Sequence, residues 1–320
     1  IAASTIGGTL TLTSGHASGI IDSGLVTVGG NLVATTDANS GVITLDNLAV
    51  DGTFTLAPNS TGAVTIVNDA GLTLAASTMG GNFSGTATTG DITDTGALAI
   101  TGTTTLVTSE NNATITLTDT SNAFGTEQDD AGRVDLSTQG TSGHVTLVQG
   151  DGNGYLTFDA SEVRGNLTVT TGDGGRVRQF GILTVDGTTD INADERDQNV
   201  RLDSYENVLT GAVSLKCWNC RVTNSKALEL GTVNAKGMVA TARGAITQSA
   251  PSVITVTNSA ATFTAQSSDT NTDYDITLEN TSNDFSAAVE VVAANASFKD
   301  ANAIELGAST VSGNYALTAG

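Results

Sequence analysis

The chain has 320 residues, 33 acidic against 12 basic side chains, and a formal net charge of −21. Two His, two Cys and 14% charged residues leave few groups for acid–base or metal chemistry, which argues against an ordinary enzyme. A hydrophobic content of 38% is too high for a disordered chain, and no run approaches the roughly 18 apolar residues of a membrane span.

Taken in chain order, the local signal is short apolar/polar alternation. It occurs in TLTLTS (9–14), LVTV (25–28), VITL (42–45), TFTL (53–56), AVTIV (63–67), ATITLT (113–118), LTVT (167–170), VITVT (253–257) and DITLE (275–279). Each run has period two and is bounded by Gly, Asn, Asp or Ser, which predicts short strands separated by turns. Lys, Glu, Arg and Gln, the usual solvent face of a helix, are scarce, and no i, i+3, i+4 apolar stripe is present. The chain is predicted to be all-β.

A longer period lies above the short one. Gly-Asn followed by a strand occurs at Gly30-Asn31, Gly81-Asn82, Gly165-Asn166 and Gly313-Asn314, with a degenerate start at Gly237. These starts divide residues 1–320, read as one continuous array, into copies 1–29 (partial), 30–80, 81–164, 165–236, 237–312 and the opening of another at 313–320. Inside the copies, ITLTDTSNAFG (115–125), VRLDSYENVLTG (200–211) and ITLENTSNDFSA (276–287) correspond, and Leu-rich runs close them at 70–78, 225–233 and 302–310. Copy lengths vary while the strand signals persist, a variation that a solenoid accepts as longer turns or a missing coil. The prediction is a right-handed parallel β-helix, a β-solenoid of imperfect repeats. Val, Ile, Leu and Ala face inward, Thr and Ser face outward, and Asn and Gly turn the corners in left-handed conformations.

The segments GNLTVTTGDGG (165–175), GAITQS (244–249), SNDFSAAVEV (282–291) and KDANAIELGASTVSGN (299–314) resemble the repeats of filamentous-haemagglutinin-like exoproteins of two-partner secretion, and within them the CdrA-like biofilm-matrix adhesins. The resemblance implies a β-helical shaft, an extracellular or bacterial cell-surface location, and a role in adhesion or matrix cohesion. Its partners would be extracellular polysaccharide or copies of the chain itself. The chain starts at Ile1 without a signal-like segment and breaks off early in a copy, as a subunit of a homopolymer or a segment of a longer array would.

Charge is unevenly placed. Arg164, Arg176, Arg178, Arg196, Arg201, Lys216, Arg221, Lys226, Lys236 and Arg243 are ten of the twelve basic residues, and none precedes Arg133. This window is a candidate patch for an anionic partner or for self-association, against the simpler reading of a copy with drifted composition. Nucleic acid is excluded as a partner by the overall charge and by the lack of interleaved aromatics; membrane insertion is excluded by the missing apolar span.

Cys217 and Cys220 in KCWNCR align with Ala293 and Ala296 at a predicted corner. The pattern fits a local disulfide that stiffens one turn, with an intermolecular crosslink or binding tip as the alternative. Trp218 between them is a candidate exposed contact. No cofactor is expected, although acidic turns, above all Asp269, Asp273 and Asp275, are weak Ca²⁺ candidates. Other acidic turns lie at 126–132, 149–154 and 192–197. Two further functions share this scaffold: a self-assembling filament or sheath subunit, and a polysaccharide-cleaving enzyme. The latter would draw on Asp194, Arg196, Asp197, Arg201 and Asp203. The expectation is no enzymatic activity.

Overall fold

Alternating Val, Ile, Leu and Thr suit a pleated ribbon with one face dry, because β-branched side chains pack on it and every second residue points the same way. A computed structural model of the chain describes residues 1–37, 40–125, 132–150, 154–193, 198–267 and 272–320. All nine alternating runs fall on strands, from Leu10–Ser14 to Ile276–Leu278. Among the described residues there is no helix, and parallel strands stack as a β-solenoid of about 14 turns. The chain packs as two units, Ile1–Asn166 with Thr170–Gly175 and Leu167–Val169 with Arg176–Gly320.

In the first unit one inward column runs Ile20, Ile43, Val64, Phe83, Thr104, Val134, Phe158, each residue paired in parallel register with the next. The coil from Val64 to Phe83 is short and that from Thr104 to Val134 much longer, so one coil has no fixed length. In the second unit the columns Val177, Val200, Cys220, Met238, Ala261, Val289 and Ile191, Leu215, Val233, Ile254 do the same. Each fully buried Val, Leu, Ile or Phe contributes roughly 1.5–3 kcal/mol, and stacking makes that contribution repeat from coil to coil. Phe263, Phe285, Phe298 and Tyr315 form an aromatic run in this unit, with ring centroids 5.6–6.1 Å apart.

Two expectations about side-chain direction are corrected. Thr does not always face out: Thr36, Thr108, Thr138 and Thr171 are buried at strand ends. Their hydroxyls donate to the carbonyls of Gly41, Ala113, Gly143 and Gly175 at 2.8–3.3 Å, closing the corner from inside. Left-handed backbone does occur at Asn112 and at Gly19, Gly90, Gly125, Gly140, Gly154 and Gly174, as expected of Asn and Gly, but not at the Gly-Asn starts. Among the described Asn residues only Asn112 has positive φ, and neither Gly30 nor Gly81 has it. Gly81 is required by close approach: a Cβ there would lie 2.7 Å from the Gly62 carbonyl oxygen one coil earlier, and nearer still to that of Thr61. The adjoining Asn82 accepts the Thr103 N–H of the following coil at 3.0 Å, as Asn31 does for Thr53.

The motif shared by residues 115–125, 200–211 and 276–287 also acquires a cause. Its Asn122, Asn207 and Asn283 are fully buried, and each Oδ1 accepts a backbone N–H from the coil before: Leu98 at 2.8 Å, Leu183 at 3.0 Å and Ile254 at 2.9 Å. Where the backbone ladder breaks at a corner, the amide replaces the missing carbonyl; a buried N–H left unpaired would cost about 1–3 kcal/mol.

Candidate functional site: an arginine-bearing face

The second unit carries most of the basic window. Arg178 pairs in register with Arg201, and Arg201 with Arg221, so three guanidinium side chains leave the same outward column of successive coils. Adjacent strands lie about 4.7–4.9 Å apart, and like charges directly opposite each other destabilise a sheet. Arg201 is 68% exposed, and its Nε donates to Asp203 Oδ2 at 2.5 Å. Arg221 is exposed and forms no ion pair among the described residues.

An open groove of about 340 Å³ lies beside this column, lined by Arg201, Asp203, Tyr205, Arg221, Thr223 and Thr241. The Tyr205 ring is 58% exposed, with the Arg243 guanidinium 5.6 Å from its centroid. Just along the chain, Gln179 bonds Asn207 through both its amide atoms, at 2.7 and 2.8 Å, and so holds Phe180 beside this corner. Of the eight Phe residues, seven are at most 1% exposed; Phe180 is 57% exposed. Aromatic composition alone gave no sign that Phe180 and Tyr205 would be the outward ones. The proline-free, charge-rich surroundings of QFGI (179–182) and SYEN (204–207) are the only sequence signal that could have marked them.

The other described basic residues are placed as follows. Lys216 lies on another strand segment, opposite Asn192 and Asn234. Lys226 is exposed at a turn, and Lys236 Nζ donates to Thr257 Oγ1 at 3.1 Å. Arg176 precedes the ladder by two residues, and Arg164 belongs to the first unit, where it is ion-paired with Glu162. Arg196, with Asp194 and Asp197, lies outside the described residues, so of the five groups considered for catalysis only Arg201 and Asp203 are placed.

Cys217 and Cys220 are bonded to each other with their Cα atoms 5.9 Å apart. They flank a corner inside the continuous strand Val213–Asn224, and both point inward, at 0% and 2% exposure. This burial corrects the alternative of a crosslink to another chain or a protruding tip. Trp218 is half-buried rather than prominent.

Asp269 lies outside the described residues, as do most residues of the acidic turns at 126–132, 149–154 and 192–197. Asp273 accepts from Gln266 Nε2 at 2.7 Å, and Asp275 from the backbone and side chain of Asn295 at 3.1 and 2.8 Å. Among the described residues no group of three His, Cys, Asp or Glu side chains is placed to hold a metal ion. Acidic residues instead recur as clamps between coils. Asp94 accepts the Thr118 and Asp119 N–H groups at 2.9 and 3.0 Å, Asp22 those of Asp46 and Asn47, and Asp91 that of Thr114. Charge-assisted acceptance of corner N–H groups is stronger than a neutral bond, which gives much of the acidity a structural use.

The molecule is therefore a repeat β-solenoid with an exposed cationic and aromatic face on its second unit. Its sequence matches the profile of repeats of unknown function (DUF5649) at residues 1–58, 61–129, 142–216, 219–292 and 293–320, and the chain belongs to that family. Comparison with curated proteins and with solved structures finds no match.

Proposed function

We propose that the chain is a fibrous structural or adhesive segment of an extracellular bacterial surface protein, with a mechanical rather than catalytic role. The observation that carries this reading is the parallel stacking of strand on strand, coil after coil, within each unit. Side-chain amides and carboxylates are committed to holding one coil on the next, and coil length varies freely. Such a scaffold supplies reach, and weak contacts repeated along it sum to avidity. The resemblance to large secreted adhesins and the membership of a repeat family support the same reading.

The test is to label intact producing cells with an antibody against this chain, before and after brief external proteolysis. The reading expects surface or matrix labelling that protease removes. Signal seen only after permeabilisation would sink it.

Segregation of charge favours a second reading, a filament subunit in which the basic window of one copy meets the acidic stretch preceding Arg133 in another. That reading expects polymers in sedimentation at low salt that dissolve as salt is raised.

A further inference from the structure

We infer that the groove beside the Arg178–Arg201–Arg221 column binds an anionic polysaccharide through a carboxylated sugar. This deepens the adhesive reading above by assigning a ligand class to one face. Two independent observations meet here. The first is electrostatic: folding aligns three arginines on successive strands in spite of their mutual repulsion, with Asp203 paired to Arg201 and Arg221 left without an ionic partner among the described residues. A bound anion removes that repulsion, and a guanidinium is planar and forked, suited to grip a carboxylate with two parallel hydrogen bonds.

The second is steric. Among the described residues exposed large apolar side chains are few, and Phe180, Ile182 and Tyr205 are three of the six. The other three, Ile21, Leu25 and Leu306, lie in the first two coils and the last one. The exposed ring of Tyr205 offers an apolar platform on the groove itself. A sugar ring presents one C–H-rich face to such a platform and its hydroxyls to the rim, where Thr241 lines the groove. Aromatic rings alone would take a neutral sugar and arginines alone any polyanion; the combination selects a sugar that carries charge. In this assignment the carboxylate lies between Arg221 and Arg201, and the ring lies against Tyr205.

The experiment is calorimetric titration of the whole chain, at low ionic strength, with a galacturonic acid hexamer and with its fully methyl-esterified form. Saturable binding of the acid, no binding of the ester, and losses of about tenfold or more in both Arg221→Gln and Tyr205→Ala are expected. Both side chains are exposed, and a thermal melt unchanged from the parent verifies that each variant is folded. Equal binding of the ester, no binding of the acid, or an undiminished affinity in Tyr205→Ala would each overturn the assignment. Self-association abolished by Arg221→Gln, with no response to the hexamer, would overturn it in favour of a second copy as occupant. Surface labelling is an independent readout: a chain that binds the hexamer but stays inside the cell retains this site and loses the adhesive reading.

Discussion

Asn207, one coil further along the chain than Leu183, accepts the Leu183 backbone N–H on its Oδ1 at 3.0 Å, and its Nδ2 donates to the Leu202 and Thr223 carbonyls. A single buried amide thus joins successive turns of the second unit at a corner where no strand partner is available. Asn207→Leu keeps the branched shape, with somewhat larger volume, but leaves these groups unpaired in a dry interior. Urea denaturation of the variant should show a loss of about 1–3 kcal/mol or more, with the midpoint shifted down. An unchanged midpoint would mean that water replaces the amide.

Gly81→Ala tests close approach between coils. The added methyl would meet the carbonyl oxygens of Thr61 and Gly62, which are backbone atoms and cannot swing aside. The coils must separate locally, at an expected cost of about 1–3 kcal/mol. A control at Gly7, where nothing lies within 4 Å of the new atom, should melt like the parent in the same thermal scan.

Burial, and secondarily the negative charge of Asp159, hold the Asp135 carboxyl above its ordinary value of 3.8. A raised native pKa means that the folded state binds this proton more tightly than the unfolded state. The stabilisation is therefore full below pH 3.8 and is lost as pH rises through the native value. Asp135→Asn should melt above the parent at pH 7, and the gap should close as pH falls below 3.8. A gap independent of pH would assign the effect to packing.

Cys217 and Cys220 face the interior, so neither sulfur is available to another chain. Without reductant, an alkylating reagent should leave the mass of the native chain unchanged, and nonreducing electrophoresis should show no disulfide-linked dimer. Replacing both with Ala should lower stability by no more than about 2 kcal/mol, since the closed loop is short. Immediate alkylation of the native chain would contradict the Cys217–Cys220 bond.

Period-two alternation made the strands readable, because in an extended chain alternate side chains must choose between water and the core whatever the rest of the molecule does. The same argument sorted Leu32, Ile43, Val64 and Leu98 to the inside. It failed for Thr36 and Thr138, whose hydroxyls turn inward to meet the carbonyls of Gly41 and Gly143; those partners come within reach only once the corner has formed. The repeated SNAF, ENVL and SNDF segments were visible as a motif, but not the reason for their Asn.

For the candidate site, the sequence showed a basic window and no geometry. Ten cations from Arg164 to Arg243 look alike on paper, yet Arg178, Arg201 and Arg221 share one column while Lys216 leaves from another and Arg164 belongs to the first unit. Local chemistry determined the fold class of this protein: strand, turn and facing depend on immediate neighbours in the chain. Which residues touch was decided by the coil-to-coil register, in which atoms a few ångströms apart belong to positions a whole coil distant, as Val64 is from Phe83 and Thr104 from Val134. Because coil length varies, no fixed spacing in the sequence encodes that register; it is set by the hydrogen bonds and packed side chains that form when one turn closes on the next.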